Sequence, residues 1–261
     1  MKRPIRPILA ALLAAVVLAA CSHAPPRNPM AEWVASPNHD ARRPTLIVVH
    51  FTQQDSVQRS LHTLSTRNSQ GRVSSHYLIG KDGGLYQLVA DEQRAWHAGA
   101  GSWRGLTDVN SFSIGIELDN DGVAPFTEPL VQSLLVLLED LATRWNIPRE
   151  NVIGHSDMAP TRKVDPGALF PWRRLAEAGF GVWPADDAPA APEGFDAMRA
   201  LDHFGYSLDD PSAAVRAFRL RFRGDDRTEL DDEDHRILHA LTTPGGVWLM
   251  RPAAPAAAGA H

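Results

Sequence analysis

Thr45-Leu46-Ile47-Val48-Val49-His50 sets four apolar residues in a row, three of them β-branched, and ends on a histidine. An unbroken apolar run of this length suits a strand buried on both faces, and it delivers His50 to the strand's carboxyl edge. Working outward, Ser111 to Leu118 alternates: Phe112, Ile114, Ile116 and Leu118 share one face, while Ser111, Ser113, Gly115 and Glu117 share the other. Glu117 thus ends a face of small residues. Between these segments, Asp55 stands where it can cap a helix bearing Val57, Leu61 and Leu64 on one side. Ser75 to Ile79 and Leu85 to Val89 read as strands joined by Lys81-Asp82-Gly83-Gly84, whose glycines suit a tight hairpin. Leu130 to Trp145 is a helix apolar on most sides, closed by Pro148, and Val152-Ile153 is a short strand delivering Gly154-His155 into a loop. Strands interspersed with helices define the α/β class, with a mixed central sheet flanked by helices.

The chain of 261 residues is 44% hydrophobic and 22% charged, which excludes disordered, collagenous and multi-span membrane classes. Its formal net charge of −5 falls to −8 if Lys2, Arg3 and Arg6 leave with a leader, so nucleic acid is not an expected partner. The single cysteine, Cys21, excludes an intrachain disulfide framework and a cysteine-rich metal site, so any metal must be held by nitrogen and oxygen. Met1 to Arg6 is a basic n-region, and the 13 apolar residues Ile8 to Ala20 are too few to span a bilayer comfortably; together they read as an export signal. Leu18-Ala19-Ala20-Cys21-Ser22 resembles the bacterial lipobox. That resemblance implies a lipoprotein signal peptide over 1–20, lipidation at Cys21 and a tether over 21–43. The alternative is an ordinary secretory signal with a chance cysteine. Ser22, rather than an acidic residue, favours the outer membrane, with the body of the protein in the periplasm.

Composition shifts at Trp183 to Gly194, where Pro, Ala and Asp dominate, and a domain boundary is expected there. Beyond it, Phe195 to His203, Ser212 to Arg223 and Glu233 to Leu241 read as three short helices. Their apolar sets, such as Val215, Phe218 and Phe222, are enough for only a small core. The helical module is taken as 193–250 and the Ala-rich tail as 251–261, without structure.

The segment richest in chemistry is His155-Ser156-Asp157-Met158-Ala159-Pro160-Thr161-Arg162-Lys163-Val164-Asp165-Pro166-Gly167, followed by Phe170-Pro171-Trp172. Its prolines and glycine forbid a continuous helix, so a rigid loop must place its His, Lys and Asp. An imidazole and a carboxylate from this loop, joined by His50 from a distant strand end, would make three ligands and leave one position open, as catalytic zinc requires. Eleven histidines make such a coincidence unremarkable on spacing alone.

This segment closely resembles the zinc-binding loop of the type 2 N-acetylmuramoyl-L-alanine amidases. Val48-Val49-His50, Ser74-Ser75-His76-Tyr77, Trp96-His97-Ala98-Gly99 and Ser113-Ile114-Gly115-Ile116-Glu117 match in the family's order over roughly Thr45 to Trp183. The resemblance implies an amidase domain over 44–185, with the fold of peptidoglycan recognition proteins and one Zn2+ per chain at the sheet edge. Mapped residue by residue, it puts His50, His155 and Asp165 on the zinc ligands, Glu117 on the catalytic acid/base and Lys163 on the partner of the oxyanion. His97, Trp96 and Arg162 are candidates to line the substrate, His76 to pack within its strand. Asp157, Arg162 and Trp172 read either as loop braces or as substrate-lining. Ala197 to Leu201, Gly205-Tyr206, Ala214 to Arg219 and Leu230-Asp231 resemble the three-helix peptidoglycan-binding module, with a stability cap as the alternative. The implied reaction is hydrolysis of the amide between N-acetylmuramic acid and L-alanine in peptidoglycan or muropeptides. A non-catalytic peptidoglycan-binding lipoprotein on the same fold is the competing class, and retention of all five residues favours the enzyme.

Overall fold

In the computed structural model, residues 27–41, 44–67 and 71–243 are described. The export segment 1–20, Cys21 and the tail 251–261 lie outside them. The elements in order are β1 (Glu32–Trp33), β2 (Asp40–Ala41), β3 (Leu46–Phe51), α1 (Val57–Ser65), β4 (Tyr77–Ile79), β5 (Leu85–Gln87), β6 (Gln93–Arg94), β7 (Ser113–Leu118), α2 (Glu128–Trp145), β8 (Val152–Gly154), α3 (His155–Met158), α4 (Trp172–Glu177), α5 (Ala197–Phe204), α6 (Pro211–Phe222) and α7 (Asp232–Thr242). Six strands form a mixed sheet in the order β1-β5-β4-β7-β3-β8, while β2 and β6 pair separately. The apolar run β3 lies between β7 and β8 and is parallel to both. The β4–β5 hairpin is antiparallel, and β4 joins β7 in parallel.

Register brings the carboxyl ends together. His50 pairs with Glu117 and Val49 with Gly154, so three parallel strands deliver His50, Glu117 and His155 to one edge. That edge is where open α/β sheets place their ligands.

Alternation along β3 gives the sheet two apolar faces. Ile47 and Val49 pack with Ile114, Ile116 and Leu118 of β7 against Leu130, Leu134, Leu137, Leu138 and Leu141 of α2. Leu46 and Val48 face the other way, with Ile153 of β8, and are covered by Met158, Trp103 and the C-terminal helices through Leu201, Phe204, Val215, Phe218, Phe222 and Leu238. The three helices therefore do not close a small core of their own. They share one with the sheet, because a strand buried on both faces needs a second cover.

Some local expectations shift. Phe112 does not belong to the alternating strand: it follows the 3-10 turn Val109–Ser111, has φ −131° and ψ 10°, and packs into the core under the C-terminal helices. Ser56 caps α1 by accepting from the Arg59 amide, while Asp55 pairs with the Arg59 side chain. His155 opens a one-turn helix rather than a loop, since Pro160 lies beyond its last turn. α2 stops before Pro148, at Asn146, whose φ of 51° is the left-handed conformation asparagine tolerates. Among the described residues no helix is long and apolar enough to cross a membrane.

Candidate active site

His50 leaves β3 on the Leu46–Val48 side, and His155 follows directly from β8. Asp165 is drawn beside them by its own backbone, since its carbonyl accepts from the Ser156 amide at 2.9 Å. Gly154 permits the approach: a Cβ there would lie 2.7 Å from Pro166 Cδ. The three side chains are buried, and one donor atom from each lies within 4.8 Å of the others. His50 Nδ1 is 2.9 Å from His155 Nδ1 and 3.0 Å from Asp165 Oδ2, and His155 Nδ1 is 3.1 Å from the same oxygen.

The surrounding hydrogen bonds assign the tautomers. His155 Nε2 lies 2.8 Å from the Ala98 carbonyl, which can only accept, so the lone pair sits on Nδ1. The Ser113 hydroxyl donates to the Val109 carbonyl and so accepts from His97 Nε2 at 3.2 Å. His97 Nδ1 then accepts from His50 Nε2 at 3.0 Å, which turns the Nδ1 lone pair of His50 inward as well. Two lone pairs and a carboxylate oxygen thus converge with no proton among them. A cation held among them would relieve their mutual repulsion. Bonds of about 2.0–2.2 Å to a tetrahedral ion set donors roughly 3.3 Å apart, close to the spacing found, and the nitrogen and oxygen donor set suits zinc. Burial, then the neighbouring His155, lowers the His50 pKa to about 4 against the pull of Asp165, so the ring is neutral and able to ligate at pH 7.

Glu117 and Lys163 share a cleft of about 310 Å³ with this trio. Glu117 Oε2 is shielded and has no hydrogen-bond partner among the described residues. Burial, reinforced by Asp165 and opposed by Lys163, raises the carboxyl well above the usual range. His97 lines the cleft and lies flat on Gly115, where a Cβ would meet its ring at 2.4 Å. Arg162 borders the cleft and also braces it, donating to the carbonyls of Ala98 (2.9 Å) and Ala100. Trp96 is not on the cleft wall; its ring lies between the guanidinium groups of Arg72 and Arg94, at 4.3 and 4.1 Å. His76 bridges strands, accepting from the Gly115 amide and donating to the Gln93 carbonyl, each at 2.9 Å. Asp157, within the metal loop, and Trp172, just beyond it, do not line the cleft.

Sequence reasoning missed the far wall, made by Thr52, Gln53 and Gln54 after β3 and by Ser60, Thr63 and Leu64 of α1. The signal was their place immediately after a strand's carboxyl end. It also missed Ser113, which fixes the tautomer of His97.

A parallel-edge cleft with a His-His-Asp donor trio and a neighbouring carboxyl defines a hydrolase of the amidase class, and the chain belongs to the N-acetylmuramoyl-L-alanine amidase family, whose model matches residues 40–168. It is 37% identical over 230 residues to N-acetylmuramoyl-L-alanine amidase AmiD of Escherichia coli K12, a match covering 75% of this chain and 81% of that protein. The structure of Escherichia coli AmiD in complex with the substrate anhydro-N-acetylmuramic acid-L-Ala-D-gamma-Glu-L-Lys superposes with a TM-score of 0.67 at 33% identity, covering 85% of this chain and 92% of that one. AmpDh3 of Pseudomonas aeruginosa gives 0.69 at 30% identity, covering 85% and 96%.

Proposed function

We propose that this chain is a zinc-dependent amidase of the bacterial cell envelope. It hydrolyses the bond between the lactyl group of N-acetylmuramic acid and L-alanine in muropeptides or peptidoglycan. The observation that carries this reading is the inward-facing Nδ1, Nδ1 and Oδ2 trio beside a carboxyl oxygen that has no hydrogen-bond partner among the described residues. His50, His155 and Asp165 would hold one zinc ion. When bound, it supplies a Lewis acid that lowers the pKa of water to about 7 and polarises the scissile carbonyl. Glu117 takes the proton of the attacking water and returns it to the departing alanine nitrogen, a task suited to a carboxyl whose pKa burial raises above the usual range. Lys163, with three N–H donors, stabilises the oxyanion. His97, Arg162 and the Thr52–Gln54 wall border the space for the substrate.

The lipobox-like Leu18 to Cys21 supports anchoring through Cys21 to the outer membrane, with the amidase domain in the periplasm; the domain expected over 44–185 also takes in β1, Glu32–Trp33, which pairs with β5 in its sheet. The core shared with the sheet favours the stability-cap reading of the module at 193–250 over a separate peptidoglycan anchor. The test is mass spectrometry of an anhydromuramyl tripeptide incubated with the zinc-loaded chain. The expected products are the free sugar acid and a peptide beginning with L-alanine, lost on chelation and restored by zinc. Binding without cleavage would give the receptor class instead.

A further inference from the structure

Behind the metal loop lies a buried ion pair that the chemistry above does not use. Asp157 follows His155 by two residues and is fully buried. Its Oδ2 accepts from the Gly154 amide at 2.8 Å and from Arg221 Nη1 of α6 at 2.7 Å. Its Oδ1 accepts from the Tyr206 hydroxyl, between α5 and α6, at 2.6 Å. Arg221 also donates to the Val152 carbonyl at 3.3 Å and stacks 4.4 Å from the centre of the Trp172 ring. That ring and Pro166 close over the same side of Gly154, where an added Cβ would meet Pro166 Cδ at 2.7 Å and Trp172 Cζ2 at 3.2 Å. One carboxylate therefore ties the peptide entering His155 to two C-terminal side chains, and the Arg221–Trp172 stack backs the turn that carries Asp165. A second tie runs nearby, from Arg216 Nη2 to the Pro160 carbonyl at 2.7 Å.

A one-turn helix has little stability of its own, so the position of His155 depends on what holds its first turn. A buried carboxylate without its donors would move toward other ones and carry the Gly154–His155 backbone with it. We propose that Arg221 and Tyr206 are positioning residues of the metal centre, acting through Asp157 to keep the His155 and Asp165 donor atoms at coordinating distance. This inference rests on the metal reading above. It makes the C-terminal helices part of the catalytic structure, whatever surface they present elsewhere.

The experiment is an equilibrium competition for zinc between a chromogenic chelator and the full chain. Wild type is compared with Arg221→Met, Arg221→Lys, Tyr206→Phe and the control Ile237→Ala, a core truncation in α7. Loss of a group that supports a metal ligand weakens metal binding about 10–100-fold. Arg221→Met should fall in that range, Arg221→Lys should recover part of the loss, and Tyr206→Phe should weaken binding by a smaller factor. Ile237→Ala should lower the melting temperature while leaving zinc affinity at the wild-type value. Wild-type affinity in folded Arg221→Met, or an equal loss in Ile237→Ala, would overturn the proposal. If Arg221→Met does not fold, Tyr206→Phe decides, because it buries no new charge, and unchanged zinc affinity there overturns the proposal. Absence of zinc binding in wild type would instead bring down the metal reading itself, and this inference with it.

Discussion

Two buried groups at the site respond to pH in opposite senses. The native His50 ring protonates at about pH 4, against 6.5 when unfolded. In the metal-free chain the unfolded state therefore takes up this proton first, and stability drops as pH falls from 6.5 toward 4, by at most about 3 kcal/mol. Glu117 has its pKa raised, so the native state holds a proton that the unfolded chain releases above about 4.5, and stability from this group drops as pH rises. The two contributions overlap. Metal-free Glu117→Gln protein should show a steeper gain in stability between pH 4 and 6.5 than metal-free wild type in urea unfolding. Parallel profiles would remove the raised Glu117 pKa from the account. His50, His155 and Asp165, which the structure brings together, were legible through the resemblance of their segments to the amidase motifs, whereas spacing among eleven histidines left them open. The tautomers were not, since they depend on the Ala98 and Val109 carbonyls and the Ser113 hydroxyl, contacts no local pattern encodes.

Among the elements, β3 and β7 carry the architecture, and Gly115 is the point where they meet the chemistry. Its missing side chain gives the His97 ring its seat, since a Cβ would meet His97 Cγ at 2.4 Å and Cδ2 at 2.6 Å. Gly115→Ala should push His97 off His50, destabilise the fold by about 1–3 kcal/mol as overpacking does, and weaken zinc retention. A variant with wild-type zinc affinity would show that His97 does not orient His50. Both strands were readable from apolar runs and alternation, and α2 from its helical pattern. β1, β2 and β6 were not readable, because two-residue strands carry no period. Phe112 was misplaced because a 3-10 turn ahead of β7 reverses the face that simple alternation assigns to it.

At the scale of the molecule, the sheet is covered on one side by α2 and on the other by the C-terminal helices over β3 and β8 and by α1 beside Leu78 of β4. Helical periodicity found α5 to α7 but gave no sign of what they cover. The bonds that join them to the metal loop pair Asp157 with residues 49 and 64 positions away. Such pairings arise only once the chain is folded. The N-terminal reading also belongs to this scale, since a lipid on Cys21 would set where the cleft works. Cys21→Ala protein should leave the membrane fraction and lose acyl mass while retaining muropeptide cleavage. Wild-type protein that fractionates as soluble and carries no acyl group would refute the anchor without touching the site.

The most direct test of the central claim is zinc content measured beside turnover in Glu117→Gln protein. Glutamine keeps the size of the side chain but cannot carry the proton. The account predicts one zinc per chain, bound by His50, His155 and Asp165, with turnover on an anhydromuramyl peptide reduced on the order of 10²–10⁴-fold. Turnover near that of wild type in the zinc-loaded variant would contradict it.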